Sequence, residues 1–226
     1  MIKISAYIVT LNEEKRLEKT LKAASKVADE IIVVDSGSTD KTKEIALKNK
    51  AKFIFHKWKN ISSQKHFAQN KCQNDWVLSL DADEVLSDDL IAEIKALKKN
   101  PTADAYKMRI CDMLPGDIKQ RLLAKTYNQV RLYNRNKANM PDDLTHDRVV
   151  WGQDCKIEQL KSKVWHYSYV SLTQLWFKLN MYTDELVKVA LKKNKKYSKL
   201  RLYTEMPRQF LFYYFVRRYC MYGTCG

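Results

Sequence analysis

Within its first hundred residues the chain carries four short apolar runs, and each gives way to polar sequence, acid-bearing after three of them, before a helical pattern begins. The runs are residues 2–9, 31–34, 51–55 and 76–80. Runs this short, with little polar alternation, suit strands buried on both faces. Leu17, Leu21 and Ala24 recur at helical spacing behind Asn12, which is expected to cap that helix. Ser36-Gly-Ser-Thr-Asp40 turns towards a second helix with Ile45 inward, and residues 64–71 read as a third. Ser87 is placed to cap a fourth, with Leu90, Ile91, Ile94 and Leu97 on one face. Strand and helix alternating at this spacing predict an α/β fold: a mostly parallel central sheet with helices on its faces.

Beyond Pro101 the pattern weakens. Residues 105–110 and 130–133 read as strands, while 113–125 fit no single period. Leu172, Leu175, Leu179, Leu186 and Val189 predict a long amphipathic helix over 171–190. A basic linker over 192–201 then leads to a last helix over 206–219, with Pro207 in its first turn. The expected division is one domain over 1–170, in halves that meet near residue 100, and a helical segment over 171–226.

Several function classes fall away on composition. No apolar run reaches the length of a membrane-crossing helix, and the N-terminus reads as a first strand, not a secretion leader. The five cysteines are scattered without a Cys-x-x-Cys pair, so zinc chemistry is not expected; reduced thiols and a cytoplasmic location are. The net charge of +15 is uneven. Residues 171–226 hold eleven Lys and Arg against Asp184, Glu185 and Glu205, interleaved with aromatics, nine of them between Tyr197 and Tyr222. That combination suits nucleic acid, an anionic membrane surface, or a solvated helix packed on the main domain.

In an open α/β sheet, ligands gather beyond the carboxyl ends of the strands. Those ends are Thr10-Leu11-Asn12-Glu13, Asp35-Ser-Gly-Ser38, His56-Lys57 and Asp81-Ala82-Asp83. An Asp-x-Asp pair alone is weak, since this composition yields roughly one by chance. Its place after an apolar strand gives it weight: it is either a helix-capping turn or a site for Mg²⁺ or Mn²⁺ completed by diphosphate oxygens. Asp35 can accept hydrogen bonds from a base or ribose, or be a turn acid that caps the next helix. Lys65 can meet a phosphate, or lie on the surface.

Taken in order, Ile8-Val-Thr-Leu-Asn-Glu13, Val33-Val-Asp-Ser-Gly-Ser-Thr-Asp40, Gln64-Lys65 with Ala68-Gln-Asn70, and Leu80-Asp-Ala-Asp-Glu84 resemble family 2 glycosyltransferases. Asp142-Asp143-Leu-Thr-His146-Asp147 is similar to a motif of the branch that builds the lipopolysaccharide core. The resemblance covers about residues 2–150. It implies a GT-A fold, a nucleotide-sugar donor (a UDP-hexose first), a glycolipid or oligosaccharide acceptor, and inversion at the transferred sugar. It implies that Thr10, Leu11, Asn12, Glu13, Asp35, Lys65, Asp81 and Ala82 serve the nucleotide, and that Asp83 with Asp81 holds Mg²⁺ or Mn²⁺. The general base would be Asp147, with Asp143 or Asp142 as substitutes because Asp147 stands where a longer Glu is expected. A lipid acceptor further implies a peripheral enzyme on the inner face of the cytoplasmic membrane, docked through the basic C-terminal segment. Relatives continue past Tyr222-Gly-Thr-Cys-Gly226 with more apolar sequence, which leaves a truncated chain open. A sugar nucleotidyltransferase and a basic nucleic-acid-binding module remain as alternatives. The first lacks its Gly-rich basic loop, and acids at three of the four strand ends argue against the second.

Overall fold

The computed structural model describes residues 1–113, 126–142, 148–168 and 198–216, with isolated positions between 176 and 194 and residue 220. The chain divides into two compact units, Met1–Cys111 with Thr126–His166, and Asp112–Lys125 with Tyr167–Gly226.

Among its described residues the first unit is built on ten strands and four helices. In chain order they are β1 (Ile4–Thr10), α1 (Leu17–Ala24), β2 (Glu30–Asp35), α2 (Thr42–Lys48), β3 (Lys52–Phe55), α3 (Ile61–Lys71), β4 (Trp76–Asp81), β5 (Glu84–Leu86), α4 (Asp88–Lys99), β6 (Ala105–Asp112), β7 (Thr126–Asn134), β8 (Ala138–Asn139), β9 (Val150–Trp151) and β10 (Ile157–His166). Eight strands form one sheet in the order β3-β2-β1-β4-β7-β6-β10-β5, and β8 pairs with β9. The half made of β3, β2, β1 and β4 is parallel. Antiparallel pairing begins where β7 joins β4.

Every residue of β1 is buried. Ile4, Ala6 and Ile8 point to one face, where Leu17, Leu21 and Ala24 of α1 and Leu90, Ile91 and Ile94 of α4 cover them. Tyr7 and Val9 point to the other, against Ala68 of α3. Two covered faces explain why β1, β2 and β4 read as unbroken apolar runs, since each large aliphatic side chain removed from water contributes about 1.5–3 kcal/mol.

One local expectation is corrected. Asn12 does not cap α1, which starts at Leu17 behind Arg16 with no side-chain cap. Asn12 instead has φ 55° and bonds across to the loop after β2. Ser87 does cap α4, accepting the Leu90 N–H at 3.2 Å.

In the second unit the described helix is α5 (Lys199–Leu211), continued by a π-helical turn over Phe212–Val216. Ser198 caps it by accepting the Arg201 N–H at 3.2 Å. The helix therefore starts seven residues before the expected position and absorbs the end of the expected linker. Pro207 lies inside it, not in its first turn. Most of the expected helix over 171–190, and the ambiguous stretch 114–125, lie outside the described residues.

Candidate active site

Parallel register brings the strand ends to one edge. Thr10 pairs with Asp35, Asp35 with Phe55, and Val9 with Asp81. The loops after β1 and β2 are then stitched together. The Asn12 N–H donates to Ser38 Oγ at 2.8 Å, and Asn12 Oδ1 accepts the Thr39 N–H at 2.9 Å. The Glu13 N–H donates to Thr42 Oγ1 at 2.8 Å and the Glu14 N–H to Asp40 Oδ2 at 3.0 Å. Burial pushes the Asp40 carboxyl up, but hydrogen bonds from Thr42 and from backbone N–H groups outweigh it and hold the pKa below the usual value.

Asp35 is buried and turned into its own loop. Its Oδ1 accepts the Gly37 and Ser38 N–H groups at 2.8 Å each, and Ser38 Oγ donates to Oδ2. Gly37 sits at φ +111°, which an L side chain resists. Leu11 is exposed at the rim, while Thr10 Oγ1 is buried at the strand end without a hydrogen-bond partner.

The two aspartates of Asp81-Ala82-Asp83 meet different partners. Asp81 closes β4 between two cations, with Lys65 Nζ 2.8 Å from Oδ1 and Arg131 3.0 Å from Oδ2. Lys65, on α3, is fully buried, which removes the surface-lysine alternative. Arg131, on β7, also reaches buried Glu84. Burial would raise the Asp81 carboxyl, but Lys65 and Arg131 overcome it and hold it well below the usual carboxylate range. Glu84 moves the opposite way: burial raises it, Asp81 adds to the rise, and Arg131 opposes it.

Asp83 faces the other way. Its Oδ2 lies 3.3 Å from Arg16 and its Oδ1 lies 3.4 Å from His166 Nε2. Arg16 is nearly buried and clasps Glu13 with two nitrogens, Nε at 2.6 Å from Oε2 and Nη2 on Oε1. Thr20 Oγ1 donates to the Ala82 carbonyl at 2.8 Å and so fixes the turn between the aspartates. His166 ends β10, opposite Glu84 of β5. The result is a continuous line, Glu13–Arg16–Asp83–His166, along the edge where the strand ends converge.

No cluster of three or more metal-ligating side chains forms among the described residues. Asp83 and His166 nonetheless offer a carboxylate oxygen and an imidazole nitrogen at one point. That donor pair fits a divalent cation whose other positions go to diphosphate and water, and the nitrogen favours Mn²⁺ over Mg²⁺. Asp81, with both oxygens on Lys65 and Arg131, lies outside that pair.

Of the expected base candidates, Asp142 is described and sits 3.5 Å from Lys59. Asp143 and Asp147 lie outside the described residues. The approach to them is anchored by α3. Gln69 Oε1 accepts the Met140 N–H at 2.8 Å and the Tyr133 hydroxyl at 2.7 Å, and His66 Nδ1 lies 2.7 Å from the Met140 carbonyl. Arg16, Glu84, Arg131 and His166 were not legible as site residues. Arg131 gave one signal, a charge inside the apolar run 130–133, and His166 gave none beyond its type.

Residues 5–151 match the family described as Glycosyl transferase family 2. An uncharacterised glycosyltransferase of Rickettsia typhi is 41% identical over 100% of this chain and 81% of its own length. The lipopolysaccharide core biosynthesis glycosyltransferase LpsC of Rhizobium meliloti is 38% identical, over 37% of this chain and 32% of its own. Among solved structures, S. aureus TarS 1-349 in complex with UDP-GlcNAc superposes with a TM-score of 0.51 at 18% identity, covering 74% of this chain and 59% of that one. The sheet is thus of the GT-A type, and the match over residues 5–151 makes this chain a member of glycosyl transferase family 2.

Proposed function

We propose that this chain moves a single hexose, with inversion, from a UDP-sugar to a hydroxyl of a lipopolysaccharide-core or related glycolipid acceptor. The observation that carries the reading is the line Glu13–Arg16–Asp83–His166 at the convergent strand ends, beside a buried Thr10 hydroxyl with no protein partner. A buried polar group usually finds a partner, and a nucleotide at this edge would supply one. The UDP-GlcNAc bound by TarS supports a UDP-linked donor, and the partial likeness to LpsC supports the acceptor class. Membership of the family sets aside the nucleotidyltransferase and nucleic-acid-binding alternatives.

The roles divide by environment. The loops carrying Thr10, Leu11, Asn12, Glu13 and Asp35 receive the nucleoside, their geometry fixed by cross-bonds before any ligand arrives. Lys65 and Arg131 hold Asp81 charged and still beneath the nucleotide. Asp83 and His166 would hold Mn²⁺ or Mg²⁺, which supplies Lewis-acid neutralisation of the departing diphosphate. One carboxylate of Asp142-Asp143-Leu-Thr-His-Asp147 takes the proton from the attacking acceptor hydroxyl, with Asp147 first in line.

A thermal-shift panel of the full chain with UDP, GDP and CDP, with and without Mn²⁺, tests the donor. UDP should raise Tm, and Mn²⁺ should enlarge that rise. A chain stabilised by none of the three would overturn the reading. Asp147→Asn should then lose about 10²–10⁴ in turnover while UDP still raises Tm.

A further inference from the structure

The C-terminal unit carries an exposed apolar helix face. On α5, Tyr203, Met206 and Phe210 follow one another at helical spacing, with exposures of 78%, 80% and 60%. Leu200, Leu211, Tyr213, Phe215 and Val216 widen this apolar face and are exposed too. Arg201, Glu205 and Arg208 form a separate ridge, in which Arg201 Nε lies 3.4 Å from Glu205 and Arg208 also clasps it. Glu205 is the one acid between residues 198 and 216, so this ridge cancels it and the helix remains cationic.

We infer that α5 with its π-helical continuation is an interfacial helix that lays this face on an anionic lipid bilayer. Charge selects the occupant. Residues 171–226 hold a surplus of eight positive charges, so two copies brought face to face would repel, whereas an anionic surface attracts the same segment. Nucleic acid would satisfy the charge but would give Met206, Leu211 and Val216 nothing to bury against. A bilayer takes both, with aliphatic and Phe side chains in the acyl boundary and Tyr203 and Tyr213 at headgroup level. None of the helices among the described residues is long and apolar enough to cross a membrane, so the contact lies in the plane of the interface. The inference rests on the C-terminal unit alone and is independent of the donor and acceptor proposed above.

Co-sedimentation of the full chain with phosphatidylcholine vesicles, with and without phosphatidylglycerol, tests it. The chain should pellet with the anionic vesicles and be released by salt. Met206→Glu with Phe210→Glu should reduce the bound fraction by about tenfold or more, while Thr204→Gln should leave it unchanged. Circular dichroism and the UDP thermal shift, read on each variant, separate lost docking from lost folding or a failed donor assignment. The inference is overturned if the native chain stays in the supernatant, or if the double variant pellets like the native chain. It is equally overturned if size-exclusion chromatography shows the double variant instead converting a dimer to a monomer.

Discussion

Lys65, with none of its side chain exposed, places Nζ 2.8 Å from Asp81 Oδ1, while Arg131 holds the other oxygen at 3.0 Å. A helix on one face of the sheet and a strand of its antiparallel half thus meet on one carboxylate at the end of β4. A buried pair adds little net stability, but removing one partner strands the other, at a cost of about 3–5 kcal/mol. Arg131 still pairs with Asp81 when Lys65 is lost, so Lys65→Met should destabilise the chain by less than that in urea unfolding, whereas Asp81→Asn strands the fully buried Lys65 and should approach it. Lys65→Met combined with Asp81→Asn should cost clearly less than the two single losses summed. Additive losses would mean the pair is not coupled.

Asp81 and Asp83 should separate in the same assays. Asp83→Asn leaves the Lys65–Asp81–Arg131 cluster intact, so urea stability should stay near native while the Mn²⁺-dependent part of the UDP shift disappears. Asp81→Asn should do the reverse first, lowering urea stability before donor binding is considered. Metal-enhanced UDP affinity that survives in Asp83→Asn would remove Asp83 from the metal role.

Asp40 gives the acid response its sign. Its folded pKa lies below the usual aspartate value, so the stability it adds is full above the unfolded pKa and fades as pH falls through the folded one. Asp40→Asn should thus be least stable relative to the native chain at neutral pH, with the gap closing towards the acid end. Tm measured across that range checks it. A gap that widens on acidification would reverse the assignment.

The parallel half of the sheet was readable because two covered faces force continuous apolar runs, and nothing else of that length fits between Gly, Ser and Asp turns. The antiparallel half hides itself. In β10 only Leu160 and Val164 are fully buried among ten residues, so neither alternation nor an apolar run appears. Arg131 and Glu84 could not be assigned to the site from the sequence because their burial depends on Asp81 and on one another, a relation that exists only once β4, β5 and β7 are assembled. Asn12 misled for a similar reason: a residue suited to capping its own helix bonds instead to a loop 27 residues away. The strand-end acids were readable by position, whereas the opposite duties of Asp81 and Asp83 follow from neighbours that no motif names.

Gln69 links the core to the acid cluster, since one oxygen accepts both the Tyr133 hydroxyl and the Met140 N–H. Gln69→Ala leaves the buried Met140 N–H unpaired, at about 1–3 kcal/mol, while the Tyr133 hydroxyl keeps Tyr7 at 2.9 Å. It also frees the chain two residues before Asp142. Turnover should fall with little change in UDP affinity, because the loops of β1 and β2 are untouched. A proportional loss of UDP affinity would place Gln69 in the donor pocket instead.

Arg16 gives the last expectation, and its sign is not obvious. The guanidinium is a cation held 3.3 Å from Asp83, where a divalent ion would also sit, and it is anchored by Glu13. Towards free Mn²⁺ it is a repelling neighbour, and unit charges about 4 Å apart interact by about 4 kcal/mol at an effective dielectric of 20. Towards a diphosphate it is an attracting one. Arg16→Gln should therefore bind Mn²⁺ alone more tightly, by roughly fivefold or more after screening, and bind UDP more weakly. Arg16→Lys should fall between, since it keeps the charge but cannot clasp Glu13 with two nitrogens. Manganese paramagnetic resonance on the apo chain, with UDP titrated separately, reads the two effects independently. If Arg16→Gln weakens both ligands together, Arg16 acts only by holding the fold of the loop, and its electrostatic role is wrong.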